Sequence, residues 1–132
     1  MSTSDADGGT PDFDEWIVEE FASRGAFTAL VVLVQIGERT VTPVSSTYLN
    51  VIGPDIDWLE IVALFAGAGV HWDGASFYPM TAPDGGPLDN ASARIGLRAI
   101  EARVKAERLA LNEGFFFDRH GRRMMVEEAA AE

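Results

Sequence analysis

Residues 27–36 read Phe-Thr-Ala-Leu-Val-Val-Leu-Val-Gln-Ile. Val and Leu dominate the run, and large apolar side chains occupy both alternating sets of positions. Successive strand residues point to opposite faces of a sheet, so a half-solvated strand alternates apolar with polar. This one does not alternate, and it predicts a strand buried on both faces. Such a strand needs cover on each side of its sheet, because that much exposed apolar area would aggregate. A first helix is expected to supply part of the cover, and a second copy of the chain, packing sheet on sheet, to complete it.

Outward from this strand, Gly37-Glu38-Arg39 supplies a turn, and residues 40–48 return as a β-branched strand. Pro43 has no N–H for a ladder, which predicts an edge strand or a bulge. Upstream, Thr10-Pro11 offers a capping hydroxyl and a proline at the first helical position. Phe13, Trp16, Ile17 and Phe21 then recur at helical spacing until Gly25. Residues 1–9 carry no such pattern and are expected to be a flexible tail before a single domain over 10–132.

Downstream, Asp57 and Glu60 form a capping-box pair, with Ile56 placed to staple onto Ile61. Leu59, Val62, Ala63, Leu64, Phe65 and Ala66 leave this second helix almost no polar face, which predicts near-complete burial. Gly67 and Gly69 stop it. Residues 70–72 and 75–80 flank Asp73-Gly74, the signature of a tight hairpin. A loop over 81–90 leads to a third helix over about 92–112, closed by Gly114. Residues 115–117 and 124–126 then predict a last hairpin. The order αββαββαββ defines an α+β fold. It contains the βαββαβ run of split-βαβ, ferredoxin-like sandwiches, an order shared by proteins of many functions.

Composition narrows the class. At 132 residues the chain can bury a real core unaided, and it has no cysteine, which excludes disulfides, thiolate metal sites and thiol catalysis. Its first residues are acidic and polar, unlike a signal peptide, and no apolar run approaches the ~20 residues of a membrane span. The expectation is a cytoplasmic protein without membrane attachment. Nine arginines to one lysine fit a GC-rich, bacterial genome. The net charge of −11 is uneven: fourteen acids face two arginines up to Ala93, whereas eight basic residues face four acids from Arg94 to Arg123. An acidic total repels phosphate and makes nucleic acid an unlikely partner.

Few residues carry recognisable chemistry. His71 and Asp73, like Asp118 and His120, stand two apart, a spacing that points both groups to one face of a strand. If the two hairpins adjoin, these four, with Tyr78 nearby, form a candidate polar site, although no ligand motif such as HExxH accompanies them and no metal or cofactor is expected. Arg98, Arg119, Arg122 and Arg123 are candidates for anion binding, since guanidinium forks grip oxyanions. Their plainer reading is a solvated face paired with the acidic half. Gly67-Ala68-Gly69 follows a helix, so it lacks the context of a nucleotide loop. Ser45, Ser46 and Ser76 lack a nucleophile elbow. Trp58, Trp72, Phe77, Tyr78 and the phenylalanines at 115–117 would line a pocket or, more ordinarily, fill the core.

Three functional classes follow. The first is a non-catalytic protein-interaction or regulatory module, acting on a protein partner or as a homodimer. The second is a small ligand-binding protein or enzyme with its site near His71, Asp73, Tyr78 and His120. The third is an acidic inhibitor or decoy of a basic partner.

Overall fold

A computed structural model describes residues 10–127; the tail expected over residues 1–9 lies outside them. In chain order the elements are α1 (Asp12–Arg24), β1 (Phe27–Ile36), β2 (Val41–Val51), α2 (Trp58–Ala66), β3 (Gly74–Met80), α3 (Asn90–Ala106), a 3₁₀ turn (Arg108–Glu113) and β4 (Phe115–Asp118). The four strands form one antiparallel sheet in the order β2-β1-β3-β4. The protein is therefore α+β, with β1 inside the sheet and buried from Phe27 to Val34.

Each face of the sheet has its own helical cover. Phe27, Ala29, Val31 and Leu33 of β1 join Phe13, Trp16 and Ile17 of α1 and Trp58, Ile61 and Phe65 of α2. Val32 and Val34 face the other way, toward Val104 of α3, Leu111 of the 3₁₀ turn, Phe116 and Val126. The expectation that a second copy completes the cover is thus corrected. α1 shares its face with α2, and α3 alone crosses to the opposite face, so both faces are covered within one chain.

Two predicted hairpins are single strands. Residues 70–72 form no strand because β3 is flanked on both sides, by β1 and β4, and has no edge left to pair with them. Asp73 instead closes the end of the ladder: its N–H donates to the Val34 carbonyl (2.7 Å), and its carboxylate accepts from the Ile36 N–H (2.8 Å). Residues 124–126 return beside β4 but do not extend the sheet. A single bridge joins Phe117 to Arg123, and the Met124 N–H donates to the Phe116 carbonyl. Beyond that, the Asn112 amide takes the Val126 N–H (2.8 Å) and donates to the Val126 carbonyl (2.7 Å), satisfying the groups a strand would pair. Among the described residues the order αββαββαββ is corrected to αββαβαβ, and the βαββαβ run of a ferredoxin-like core does not occur. One split unit remains, since β2 and β3, joined through α2, run the same way with β1 between them.

Helix ends follow local chemistry closely. Asp57 accepts from the Glu60 N–H while Glu60 accepts from the Asp57 N–H, which completes the capping box of α2. At α1 the cap position falls on Pro11 and no side chain caps it; the Phe13 N–H is met by the Gly121 carbonyl (2.9 Å) and Asp12 accepts from the Arg123 N–H. Gly121 has φ of 78°, and a Cβ there would lie 2.8 Å from the Trp58 ring, so only glycine fits where this turn meets both helices. Helix three is shorter than predicted. The backbone of Glu107 is extended, and its carboxylate caps the Leu109 N–H of the 3₁₀ turn. That break directs the carbonyls of Ala110 and Leu111 at Tyr78 and Ser76 of β3.

On β2, Pro43 pairs with Val34 while Ser45 pairs with Leu33, leaving Val44 as the extra residue of a bulge. The proline thus sits on an edge strand and beside a bulge, as its missing N–H requires.

Candidate functional site

The sequence-derived polar residues do not gather into one site. His71 and Asp73 do meet, with Nε2 of His71 3.0 Å from Oδ1 of Asp73, in an exposed turn. The Ile36 N–H is the main reason that the Asp73 carboxyl titrates below its ordinary value, with the neighbouring His71 and Arg119 adding to the effect. Gly74 and Asp118 are register partners, so the turns holding Asp73 and Arg119 are neighbours. Asp118, however, spends its carboxylate on its own turn, accepting from the N–H groups of His120 (2.8 Å) and Arg122 (3.1 Å). Among the described residues no three of His, Asp and Glu are grouped to hold a metal ion. Tyr78 lies five residues along β3 from Asp73, on the face covered by α3, and donates its hydroxyl to the Ala110 carbonyl (2.8 Å). Burial pushes its phenol above the ordinary range.

The candidate arginines separate in the same way. Arg98 is exposed on α3, whereas Arg119, Arg122 and Arg123 stand in the turn after β4, which packs on α1 and α2. Arg123 lies over the Phe115 ring at 4.8 Å, a cation–π contact that uses its guanidinium locally. The Arg119 carbonyl accepts from the Trp58 indole N–H (2.8 Å). Most of the candidate aromatics are core. Phe13 sits within 5.1–5.5 Å of the rings of Trp16, Trp58, Phe77 and Phe117, in one packed aromatic cluster. Ser76 is buried and donates to the Leu111 carbonyl.

The feature the sequence reading missed is the outer side of α2. Only Trp58, Ile61 and Phe65 of this helix are buried, and Val62 is partly covered. Leu59 is 79% exposed and Leu64 52%, with Ala63 and Ala66 exposed beside them; Glu60 is the only charged residue on the helix. The predicted near-complete burial of α2 is thereby corrected: a single layer of helices leaves its back in solvent. Next to it, Ile52 is 66% exposed just after β2 ends. Ile52, Ile56 and Leu64 line a shallow groove of about 420 Å³ between the end of β2 and α2. Asp55 and Glu60 supply its charge, and no lysine or arginine lines it.

The sequence held the signal, since α2 has no polar stripe, but an all-apolar helix reads first as a buried one. Chemically the groove offers apolar contact framed by carboxylates. The described residues include no helix long and apolar enough to cross a membrane. Compared with known proteins, the chain matches no family model, no curated protein and no solved structure.

Proposed function

We propose that the protein is a non-catalytic protein-interaction module that takes its partner on the outer side of α2. The observation that carries this reading is the exposure of Leu59, Leu64 and Ile52 on a helix and loop whose only charges are acidic. Large apolar side chains grouped at a surface mark contact sites, whereas singly scattered ones need no explanation. Asp55 and Glu60 frame the groove without a counter-charge, so the partner is an apolar segment flanked by basic residues. The reading joins the interaction module to the acidic binder of a basic partner. The alternative of a small ligand-binding protein or enzyme draws on the His71–Asp73 pair alone, and Asp73 is already engaged in closing the β1–β3 ladder.

Two synthetic amphipathic helices test the reading, with one leucine face and either lysine or glutamate flanks. The lysine peptide should bind about tenfold tighter or better at low salt, with the advantage shrinking as salt rises. Leu64→Asp, at an exposed position, should abolish binding and leave the fold intact. Equal binding of both peptides, or binding indifferent to Leu64→Asp, would remove the proposal.

A further inference from the structure

The two edges of the sheet are protected to different degrees. The β4 edge is four residues long, and residues 123–124 lie along it through the Phe117–Arg123 bridge and the Met124 N–H. The β2 edge is eleven residues long. Its N-terminal end is blunted by Pro43 and the Val44 bulge, but residues 45–51 pair with β1 in unbroken register. Along β2, from Val41 to Val51, no backbone hydrogen bond among the described residues reaches the strand except through its ladder with β1. Alternate residues of this stretch therefore present N–H and C=O groups away from the sheet.

Edges of this length are ordinarily guarded by charge, and β2 has none: Val-Thr-Pro-Val-Ser-Ser-Thr-Tyr-Leu-Asn-Val contains no acidic or basic residue. In a chain of net charge −11 this matters twice. A second copy could meet the strand itself without placing carboxylate against carboxylate, since Glu101, which accepts from the Ser46 hydroxyl, lies on the α3 face with Lys105 nearby. Most other surfaces of the first half would repel it. The closed β4 edge also forbids β2-to-β4 pairing, the head-to-tail contact that would propagate into a filament.

We infer that two copies of this chain pair antiparallel through residues 45–51 of β2, joining their four-stranded sheets into one of eight strands. Antiparallel pairing about a two-fold is self-complementary, because each copy offers the other the same uncharged strand. A seven-residue ladder is only about 24 Å long, and a contact of one strand edge buries little besides, so the pairing belongs with weak interfaces and the dimer is expected in the micromolar range.

Light scattering and equilibrium sedimentation of the full chain from micromolar to submillimolar concentration test this. The expected result is a mass rising from one chain to two, and stopping there. Thr47→Lys puts a charge at the middle of the edge and should return the protein to one chain, with the parent's circular dichroism and, at concentrations below the pairing range, the parent's melting temperature. Hydrogen exchange on the unmodified protein gives a second reading, independent of how that variant folds. Alternate amides of residues 45–51 should become protected as concentration rises, while those of residues 123–126 should not change. A single-chain mass throughout with freely exchanging outward amides overturns the inference. So does a dimer that keeps those amides unprotected, which would place the contact elsewhere. Leu64→Asp should leave the dimer in place, so the α2 reading and this one fail separately.

Discussion

Asp73 shows how a residue that looks chemical is claimed by architecture. It is the only residue among His71, Asp73, Asp118 and His120 whose carboxylate joins separate elements, accepting from the Ile36 N–H at the end of β1 as well as meeting His71. A carboxylate that accepts a backbone N–H is favoured in its charged form, and its pKa lies below the ordinary value. The sign of the linkage follows. The folded pKa is below the unfolded one, near 3.9, so Asp73 stabilises the fold above that pH. The contribution is lost as pH falls through the lower, folded value. Asp73→Asn should therefore be less stable than the parent near neutrality, with the gap closing in acid as the parent's carboxyl protonates. Denaturant midpoints of both proteins across pH 2–7 check this; a gap independent of pH would mean that the charge contributes nothing. Trp16 is the opposite case. It packs as an aromatic core residue, yet its indole N–H is buried without a partner among the described residues, a cost accepted for packing.

Among the elements, those that close on their own neighbours were the legible ones. The capping box at Asp57 and Glu60, the stop at Gly25 and the Pro43 edge each depend on residues a few positions apart, and each stands as the sequence implies. The apolar run of β1 was legible for a related reason, since burial on both faces leaves no polar position to encode. The two hairpins at residues 70–80 and 115–126 misled because their outcome depends on distant chain. β3 is paired on both its edges, and a side chain from the 3₁₀ turn takes the Val126 groups that a ladder would use. That side chain gives a direct test. Asn112 holds Val126 through both backbone groups, and Val126 closes the core under α3. Asn112→Ala should cost about 1–3 kcal/mol and release the Val126 amide to exchange. Unchanged exchange at Val126 would show that packing alone fixes the returning segment.

At the scale of the whole molecule the candidate site was the least legible part, because exposure is a property of layers. A sheet covered by helices on both faces has an outer surface on each helix, and only the assembled structure tells whether anything lies beyond it. Leu59 and Leu64 carry the same side chain as a core leucine and differ only in having no third layer above them. Charge is distributed by the same assembly. α1 and α2 share one face, which brings the acids of α1 close to those at the start of α2. Burial is the main reason the Asp14 carboxyl titrates above its ordinary value, the Trp58 N–H opposes the rise, and the neighbouring Asp57 adds to it. Ion pairs among the described residues are few and exposed or partly so: Arg24 with Glu20 and Arg103 with Glu113, joined by His71 with Asp73 only when the imidazole is protonated. Exposed pairs contribute little, so screening removes more repulsion than attraction. Sodium chloride should therefore raise the melting temperature by a few degrees as the Debye length falls from about 30 Å at 0.01 M to about 10 Å at 0.1 M. Chloride is the right anion for the test, because sulfate would also strengthen apolar burial. The scan belongs at the lowest protein concentration that gives a signal, since salt would also favour pairing of two acidic chains and stabilise by mass action. A melting temperature that falls over this range would mean that these few ion pairs outweigh the repulsion among twenty-one acids.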